Sequence, residues 1–324
     1  MKSATSLVAT LLLFLAAGIA SAQTTEEHIN LDTPTGRIAG TLQLPAALEG
    51  KPQGTLKVAL IIAGSGPTDR DGNNPLIPGR NDSLRMLAVA LAEEGIASLR
   101  YDKRGVAASL AAGPPESELR FETGVDDAAA WLGKLKADAR FGPVAVIGHS
   151  EGSLIGMLAA QQAGAAAFVS IAGAADGAPA ILRKQLAGKL PPELDKENER
   201  ILAALENGAT VDQVPPALMA AYRPSIQPYV ISWFKYVPSQ RIAALTMPVL
   251  IVQGNTDIQV EVAQAYGLHR AKPDATLAII PGMNHIFKHV RADLALQAAA
   301  YSDPSLPVSP LLVKAVSDFL KKTN

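Results

Sequence analysis

Cysteine is absent from all 324 residues. That excludes a thiol nucleophile, a disulfide framework and Cys/His zinc chemistry. Aromatic residues are scarce at 5%, and 29 Lys and Arg stand against 30 Asp and Glu, with no basic run or acidic tail. Such a chain lacks the electrostatic footprint of a nucleic-acid binder, so nucleic acid is not expected as a partner. Long apolar runs are also lacking beyond the N-terminal segment, residues 1–22. There Lys2 precedes an apolar stretch from Leu7 to Ile19, and the segment closes on Ala20-Ser21-Ala22, the small-x-small form of a signal peptidase site. Cleavage would make Gln23 the first mature residue and place a protein that does not span the membrane in the periplasm or outside the cell. The alternative is an uncleaved anchor, although the run falls short of the ~20 residues that a full span needs.

What is present is alternation. Apolar residues make up 48% of the chain, enough for one large core. Short β-branched runs recur between amphipathic stretches, the pattern of an α/β protein with a mostly parallel sheet flanked by helices. His28 to Asp32 and Arg37 to Leu44, joined by Thr33-Pro34-Thr35-Gly36, read as an antiparallel hairpin at a sheet edge. Buried strands are expected at Lys57 to Ala63, Ile96 to Tyr101, Pro143 to Gly148, Ala167 to Ala172, Val249 to Gln253 and Thr276 to Ile280. Ser83 to Glu94 is a helix by the stripe Leu84, Leu87, Ala88 and Leu91. Thr123 to Ala137 is another, with Thr123 and Asp126 as a capping box. A last helix has Ser309 as cap, Pro310 in its first turn and Leu312, Val316 and Phe319 facing inward.

Residues 176–247 break the alternation. Helix-like runs there are divided by Pro191, Pro192, Pro215, Pro216, Pro224, Pro228 and Pro238, and Tyr222, Tyr229, Trp233, Phe234 and Tyr236 cluster. The segment reads as a helical lid over a pocket, inserted between core segments 23–175 and 248–324; a purely structural insert is the alternative.

The chemistry is concentrated in Pro143-Val-Ala-Val-Ile-Gly-His-Ser-Glu-Gly152, a buried strand running into Gly-x-Ser-x-Gly with the amphipathic run Leu154 to Ala160 behind it. This setting makes Ser150 the candidate nucleophile on a strained turn, with Gly148 and Gly152 leaving room for the neighbouring strand and helix. A serine hydroxyl needs a base, and the base needs a carboxylate. Among five histidines, His285 follows the last strand in Ala278-Ile-Ile-Pro-Gly-Met-Asn-His285, with His289 as competitor. Asp257 ends the strand Val249-Leu-Ile-Val-Gln in a polar turn at the same sheet edge, whereas Asp274 precedes its strand and so falls at the opposite end. The order serine, aspartate, histidine is that of α/β-hydrolases. One oxyanion donor should be the N–H of Glu151. The other should come from the loop Ala63 to Asn74, with Ser65 first and Gly66 next. No Gly-Lys-Ser/Thr follows that loop and Pro67 removes a donor, so it does not read as a phosphate loop.

On these motifs the chain resembles bacterial α/β-hydrolase esterases that carry a Gly-Ser-Gly-Pro-x-Asp-Arg-Asp-Gly-Asn loop, here Gly64 to Asn73. Leu99-Arg-Tyr-Asp-Lys-Arg-Gly105, Gly148 to Gly152, Gly254 to Asp257 and Asn284-His285 fall where that family has them, and the likeness covers residues 26–324. It is similar as well to serine aminopeptidase-like and dienelactone-hydrolase-like groups. The resemblance implies the α/β-hydrolase fold and a serine carboxylesterase acting on small-molecule esters of short to medium acyl chains, with no metal or organic cofactor. An aminopeptidase, an acyl thioesterase or a lactone hydrolase would use the same triad, and a non-catalytic periplasmic binding protein would keep the fold without turnover. Ala107 departs from the family, which commonly has glycine there. Asp69, Arg70, Asp71, Asp102 and Arg104 are expected either to form a network fixing the oxyanion loop or to stand solvated. Oligomeric state is not legible.

Overall fold

The structure, a computed structural model, describes residues 24–46 and 53–323. The expected signal segment and Gln23 lie outside the described residues. Eight strands form one sheet: β1 (Thr25–Thr33), β2 (Gly36–Leu44), β3 (Leu56–Ile62), β4 (Ala97–Tyr101), β5 (Phe141–His149), β6 (Ala167–Ile171), β7 (Val249–Gly254) and β8 (Thr276–Ile280). Their order is β1-β2-β4-β3-β5-β6-β7-β8. β1 pairs with β2 and β2 with β4 antiparallel, and every later pair is parallel. The α/β class is what the alternation of runs implies, whereas the strand order, with β4 between β2 and β3, is supplied by the fold.

Alternate residues of the parallel strands feed two different cores, because successive side chains point to opposite faces. Leu60, Ile62, Val144 and Val146 face one layer, built on α2 (Phe121–Ala137) and α3 (Glu151–Ala163). Ala59, Ile61, Ala145 and Ile147 face the other, built on α1 (Ser83–Glu93) and the last helix, α11 (Pro310–Lys322). Each fully buried Leu or Ile there contributes roughly 1.5–3 kcal/mol relative to exposure. β4, β6 and β7 are accordingly buried along their whole length. β8 is not: Thr276 is exposed, Leu277 to Ile279 are half-buried and only Ile280 is buried. The expectation of a strand covered on both faces fails there because β8 is the sheet edge.

Two expected caps also differ. α2 begins at Phe121, so Thr123 and Asp126 sit inside its first turns and form no capping box; the Phe121 N–H is instead taken by Ser232 Oγ at 2.7 Å. Ser309 does precede α11, but it makes no side-chain cap bond and its hydroxyl meets His289 Nε2 at 2.8 Å. Lys57 supports the opposite end of that helix, donating to the carbonyl of Leu320 at 2.7 Å and of Lys321 at 2.9 Å.

Between β6 and β7 the chain forms α4 (Ala178–Leu186), α5 (Pro192–Glu206), α6 (Met219–Tyr222), α7 (Gln227–Phe234) and α8 (Pro238–Ala243). Prolines stand in the first turn of α4, α5, α7 and α8, where a missing N–H costs nothing, so they start helices rather than stop them. The segment has its own small core of Ile201, Leu202, Leu205, Leu218 and Tyr222. Its aromatic residues divide. Tyr222 donates to Asn198 within that core, whereas Trp233 stacks on Phe121 with ring centroids 6.2 Å apart and Tyr236 tilts against the same ring. The chain closes through α9 (Val262–Ala271), α10 (Leu294–Ala300) and α11. No helix among the described residues is long and apolar enough to cross a membrane.

Candidate active site

The candidate residues all follow the C-terminal ends of parallel strands, the rim where open α/β sheets place their ligand sites. Ser65 and Gly66 follow β3, Ser150 follows β5, Asp257 follows β7 and His285 follows β8. Ser150 has φ 54° and ψ −122°, a conformation that non-glycine residues adopt only when their surroundings enforce it. The enforcement is visible. The Ser150 N–H is fixed to the Ile171 carbonyl at 2.9 Å, and the turn is packed without room for side chains on either flank. A Cβ on Gly148 would stand 2.3 Å from the Gly152 carbonyl oxygen, and one on Gly152 would stand 2.5 Å from those of Ile62 and Ala63. Glu151 opens α3, so its N–H has no intrahelical acceptor and points out of the helix end beside Ser150.

His285 and Asp257 meet directly: Nδ1 of the imidazole lies 2.8 Å from Oδ2 of the carboxylate. The Asp257 side chain is fully buried, and its other bonds are also made. Oδ1 accepts the N–H groups of Gln259 at 2.8 Å and Val260 at 3.0 Å, and Oδ2 accepts Gln253 Nε2 at 3.0 Å. Burial pushes its pKa up, but the charge and hydrogen bond of His285 and the two backbone donors outweigh this, and the carboxyl is held below its ordinary range. A carboxylate so fixed leaves Nε2 as the free nitrogen of His285. The loop carrying it is cinched by Asn284, whose side-chain oxygen accepts the N–H of Lys288 at 2.9 Å and of Ile286 at 3.2 Å. Among the described residues no hydrogen bond joins Ser150 Oγ to His285; contacts of this kind are often open without substrate and close in the reacting complex.

The rejected alternatives stand elsewhere. His289 is exposed and bonded to Ser309, and Asp274 pairs with Lys272 at 3.0 Å.

His149 is a partner that sequence reasoning passed over as merely part of the turn. Its ring lies 4.8 Å from that of His285, and its Nε2 stands 2.9 Å from the His285 carbonyl oxygen, which can only accept. Burial, reinforced by the nearby His285, pushes its pKa down to about 3. His149 is thus a neutral imidazole donating through Nε2–H, and it anchors the loop that carries His285 without adding a charge. Gln253 was also missed. Its signal was a polar residue closing an otherwise apolar strand four positions before Asp257.

The loop after β3, the candidate oxyanion loop, is ordered by ion pairs and Asx turns. Arg70 donates to Asp102 through both its backbone N–H at 2.8 Å and Nη2 at 2.7 Å, while Asp102 also takes the N–H of Ala108 at 3.0 Å. Asp69 Oδ1 accepts the N–H groups of Asp71 and Asn73, and Asp71 faces the buried Arg100 at 3.3 Å. Four of the five charged residues picked out in the sequence therefore form the network. Arg104 does not join it: it turns to Asp127 on α2, with Nε and Nη2 each at 2.7 Å. Ala107 sits at φ 44°, the left-handed region that favours the glycine it replaces.

Lys103 and Tyr229 complete the surroundings. Lys103 Nζ donates to the carbonyls of Gly64 at 2.6 Å and Gly66 at 2.5 Å. Tyr229, from α7, donates its hydroxyl to Glu151 Oε1 at 2.8 Å. Burial pushes the Glu151 carboxyl up, opposed in part by the Lys103 charge and by the Tyr229 bond. Among the described residues no group of three His, Asp or Glu side chains is placed to hold a metal ion.

Comparison with known proteins supports the α/β-hydrolase fold. Residues 77–289 match the family model Hydrolase_4, described as serine aminopeptidase, S33. No curated protein matches the sequence. Among solved structures, the chain is similar to Est1E from Butyrivibrio proteoclasticus with ferulic acid bound, at TM-score 0.60 and 19% identity, over 91% of this chain and 98% of that one. It is similar to a dienelactone hydrolase from Anabaena variabilis at TM-score 0.52 and 16% identity, over 93% and 99%. A puromycin-hydrolyzing peptidase from Mycobacterium tuberculosis gives TM-score 0.58 and 19% identity, over 94% of this chain and 40% of that one. At these identities the structural likeness speaks for the fold.

Proposed function

We propose, taking as premise that this chain belongs to the Hydrolase_4 (serine aminopeptidase-like) family of α/β-hydrolases, that it is a serine carboxylesterase acting on small-molecule esters of short to medium acyl chains. The observation that carries the reading is the buried 2.8 Å contact of His285 Nδ1 with Asp257, on the rim where Ser150 stands at positive φ. Ser150 Oγ attacks the ester carbonyl while His285 Nε2 takes its proton, and Asp257 stabilises the imidazolium. The oxyanion is received by the N–H of Glu151 and by Ser65, with Gly66 beside it. His285 then gives the proton to the departing alcohol. Water enters, loses a proton to the same nitrogen and attacks the acyl carbon, and Ser150 leaves with that proton.

The segment 176–247 serves as a lid in this reading, and the Tyr229 bond to Glu151 is what supports it. Residues 1–22 are taken as the cleaved export signal, which N-terminal sequencing of the secreted protein tests. The experiment for the reaction itself is a panel of p-nitrophenyl acetate and butyrate, aminoacyl anilides, acyl thioesters and lactones. Ester turnover should dominate and should fall at least about a thousandfold in Ser150→Ala. A preference for anilides would move the reading to an aminopeptidase, the activity in the family's description. Turnover unaffected in Ser150→Ala would end it.

A further inference from the structure

One cation beside the nucleophile has no part in the acyl-transfer steps above. Lys103 reaches from the loop after β4 across to the loop after β3, and its ammonium holds two carbonyls, those of Gly64 and Gly66. That loop lies directly on the nucleophile: a Cβ on Gly64 would stand 3.2 Å from the Cβ of Ser150 and 3.3 Å from His149 Nδ1. The peptide following Gly64 is planar and trans, so its C=O and its N–H point in opposite directions. A Gly64 carbonyl pinned to Lys103 therefore turns the N–H of Ser65 away from Lys103. The second carbonyl, of Gly66, precedes Pro67, so that bond fixes the loop without consuming or directing an N–H. The carbonyl between them, of Ser65, is held by the Thr68 hydroxyl at 2.8 Å. Three successive carbonyls are thus clamped, and the orientation of the intervening N–H groups follows from them.

The clamp also has an electrical effect. A carbonyl that accepts a hydrogen bond from an ammonium draws electron density through its amide, which makes the N–H of the same amide a stronger donor. We propose that Lys103 is a positioning residue of the oxyanion hole: through the Gly64 carbonyl it aims and polarises the Ser65 N–H, acting on the tetrahedral intermediate without touching it. The inference rests on the acyl-transfer reading and adds to it the residue that builds its electrostatic half.

The groups facing Lys103 determine how this responds to pH. Glu151 faces it from the start of α3 and His149 from the end of β5, while Tyr229 reaches the same place from α7 through Glu151. Its chain neighbours Asp102 and Arg104 are engaged with Arg70 and Asp127. Burial holds the Lys103 ammonium below the usual lysine range, and the Glu151 charge opposes this in part. Tyr229 is pushed well above its ordinary value, by burial first and by Glu151 second, and keeps its proton while Lys103 loses one. Raising the pH through the Lys103 value removes the charge, so kcat falls on the alkaline side.

The test is kcat and KM for ethyl butyrate in a pH-stat, from neutral to alkaline pH, for the wild type, Ser150→Ala, Lys103→Met, Lys103→Arg and Tyr229→Phe. Lys103→Met should lower kcat about 10- to 100-fold, with KM little changed, and should lose the alkaline limb. Lys103→Arg should keep most of kcat and move the limb to higher pH, since a guanidinium stays charged. Tyr229→Phe should leave the limb at the wild-type position. Wild-type kcat in Lys103→Met, a change confined to KM, or an alkaline limb that stays in place in Lys103→Arg overturns the inference. Should Lys103→Met not fold, the limb in the wild type and in Lys103→Arg decides. Ser150→Ala with wild-type turnover would instead sink the acyl-transfer reading. An inactive Ser150→Ala beside an unimpaired Lys103→Met would sink this inference alone.

Discussion

The two sides of Ser150 are held by opposite kinds of group. On the acid-base side a carboxylate with no exposed side-chain surface, Asp257, gathers an imidazole, an amide and two backbone N–H groups. On the oxyanion side an ammonium, Lys103, gathers backbone carbonyls, and the charged pair Arg70–Asp102 stiffens the loop behind them. In the proposed reaction the first arrangement stabilises a cation that forms on His285. In the same reading the second stabilises an anion that forms on the substrate. Each side would then meet the charge developing in the proposed transition state with a fixed charge of opposite sign, and His149, the ring between them, is kept neutral by its burial.

The comparison can be broken most severely at Asp257. Asp257→Asn keeps the shape but removes the charge and inverts the tautomer preference of His285, so kcat should fall about a thousandfold or more, read from initial rates on p-nitrophenyl butyrate. A loss smaller than tenfold would mean that the acid-base side does not depend on its carboxylate. A middle-sized effect is expected at Asp102. Asp102→Ala removes the counter-charge of the Arg70 guanidinium and the acceptor of two backbone N–H groups, and should lower unfolding stability by about 3 kcal/mol in urea titration. An unchanged midpoint would mean that solvent already satisfies these groups. The smallest effect is a gain: Ala107→Gly relieves a left-handed alanine and should raise stability by about 1 kcal/mol by the same titration, with activity unaltered. A destabilised Ala107→Gly would show that the turn is not strained.

How much of this was legible follows the same division. The elbow, Asp257 and His285 could be read because each ends a run of apolar residues, and a strand's end is a fixed place on the rim. Leu250 to Val252 and Ile279-Ile280 announce where the chain must turn. On the oxyanion side the sequence offered Ser65, Gly66 and the N–H of Glu151 but not the clamp, because the role proposed for Lys103 depends on which carbonyls lie within reach. That is set by the pairing of β3 with β4, for which the sequence has no local sign. Arg104 shows the same limit: its neighbours suggested one network and the fold supplied another carboxylate. Thr123 was misjudged as a cap, and Ser309 holds the cap position with its hydroxyl turned to His289, since a hydroxyl's partner is chosen by tertiary packing; β8 was judged buried from composition that an edge strand also tolerates. In residues 176–247 the prolines marked the helices well, but only the structure separates Tyr229, which reaches Glu151, from Tyr222, which stays in the segment's own core.

The central claim is that Ser150 is an activated nucleophile. Treat the protein with a fluorophosphonate and locate the adduct by peptide mass spectrometry: the account predicts one modification, on Ser150, lost in Ser150→Ala and strongly slowed in Asp257→Asn. An unlabelled wild-type protein, or an adduct on another side chain that persists in Ser150→Ala, would contradict it.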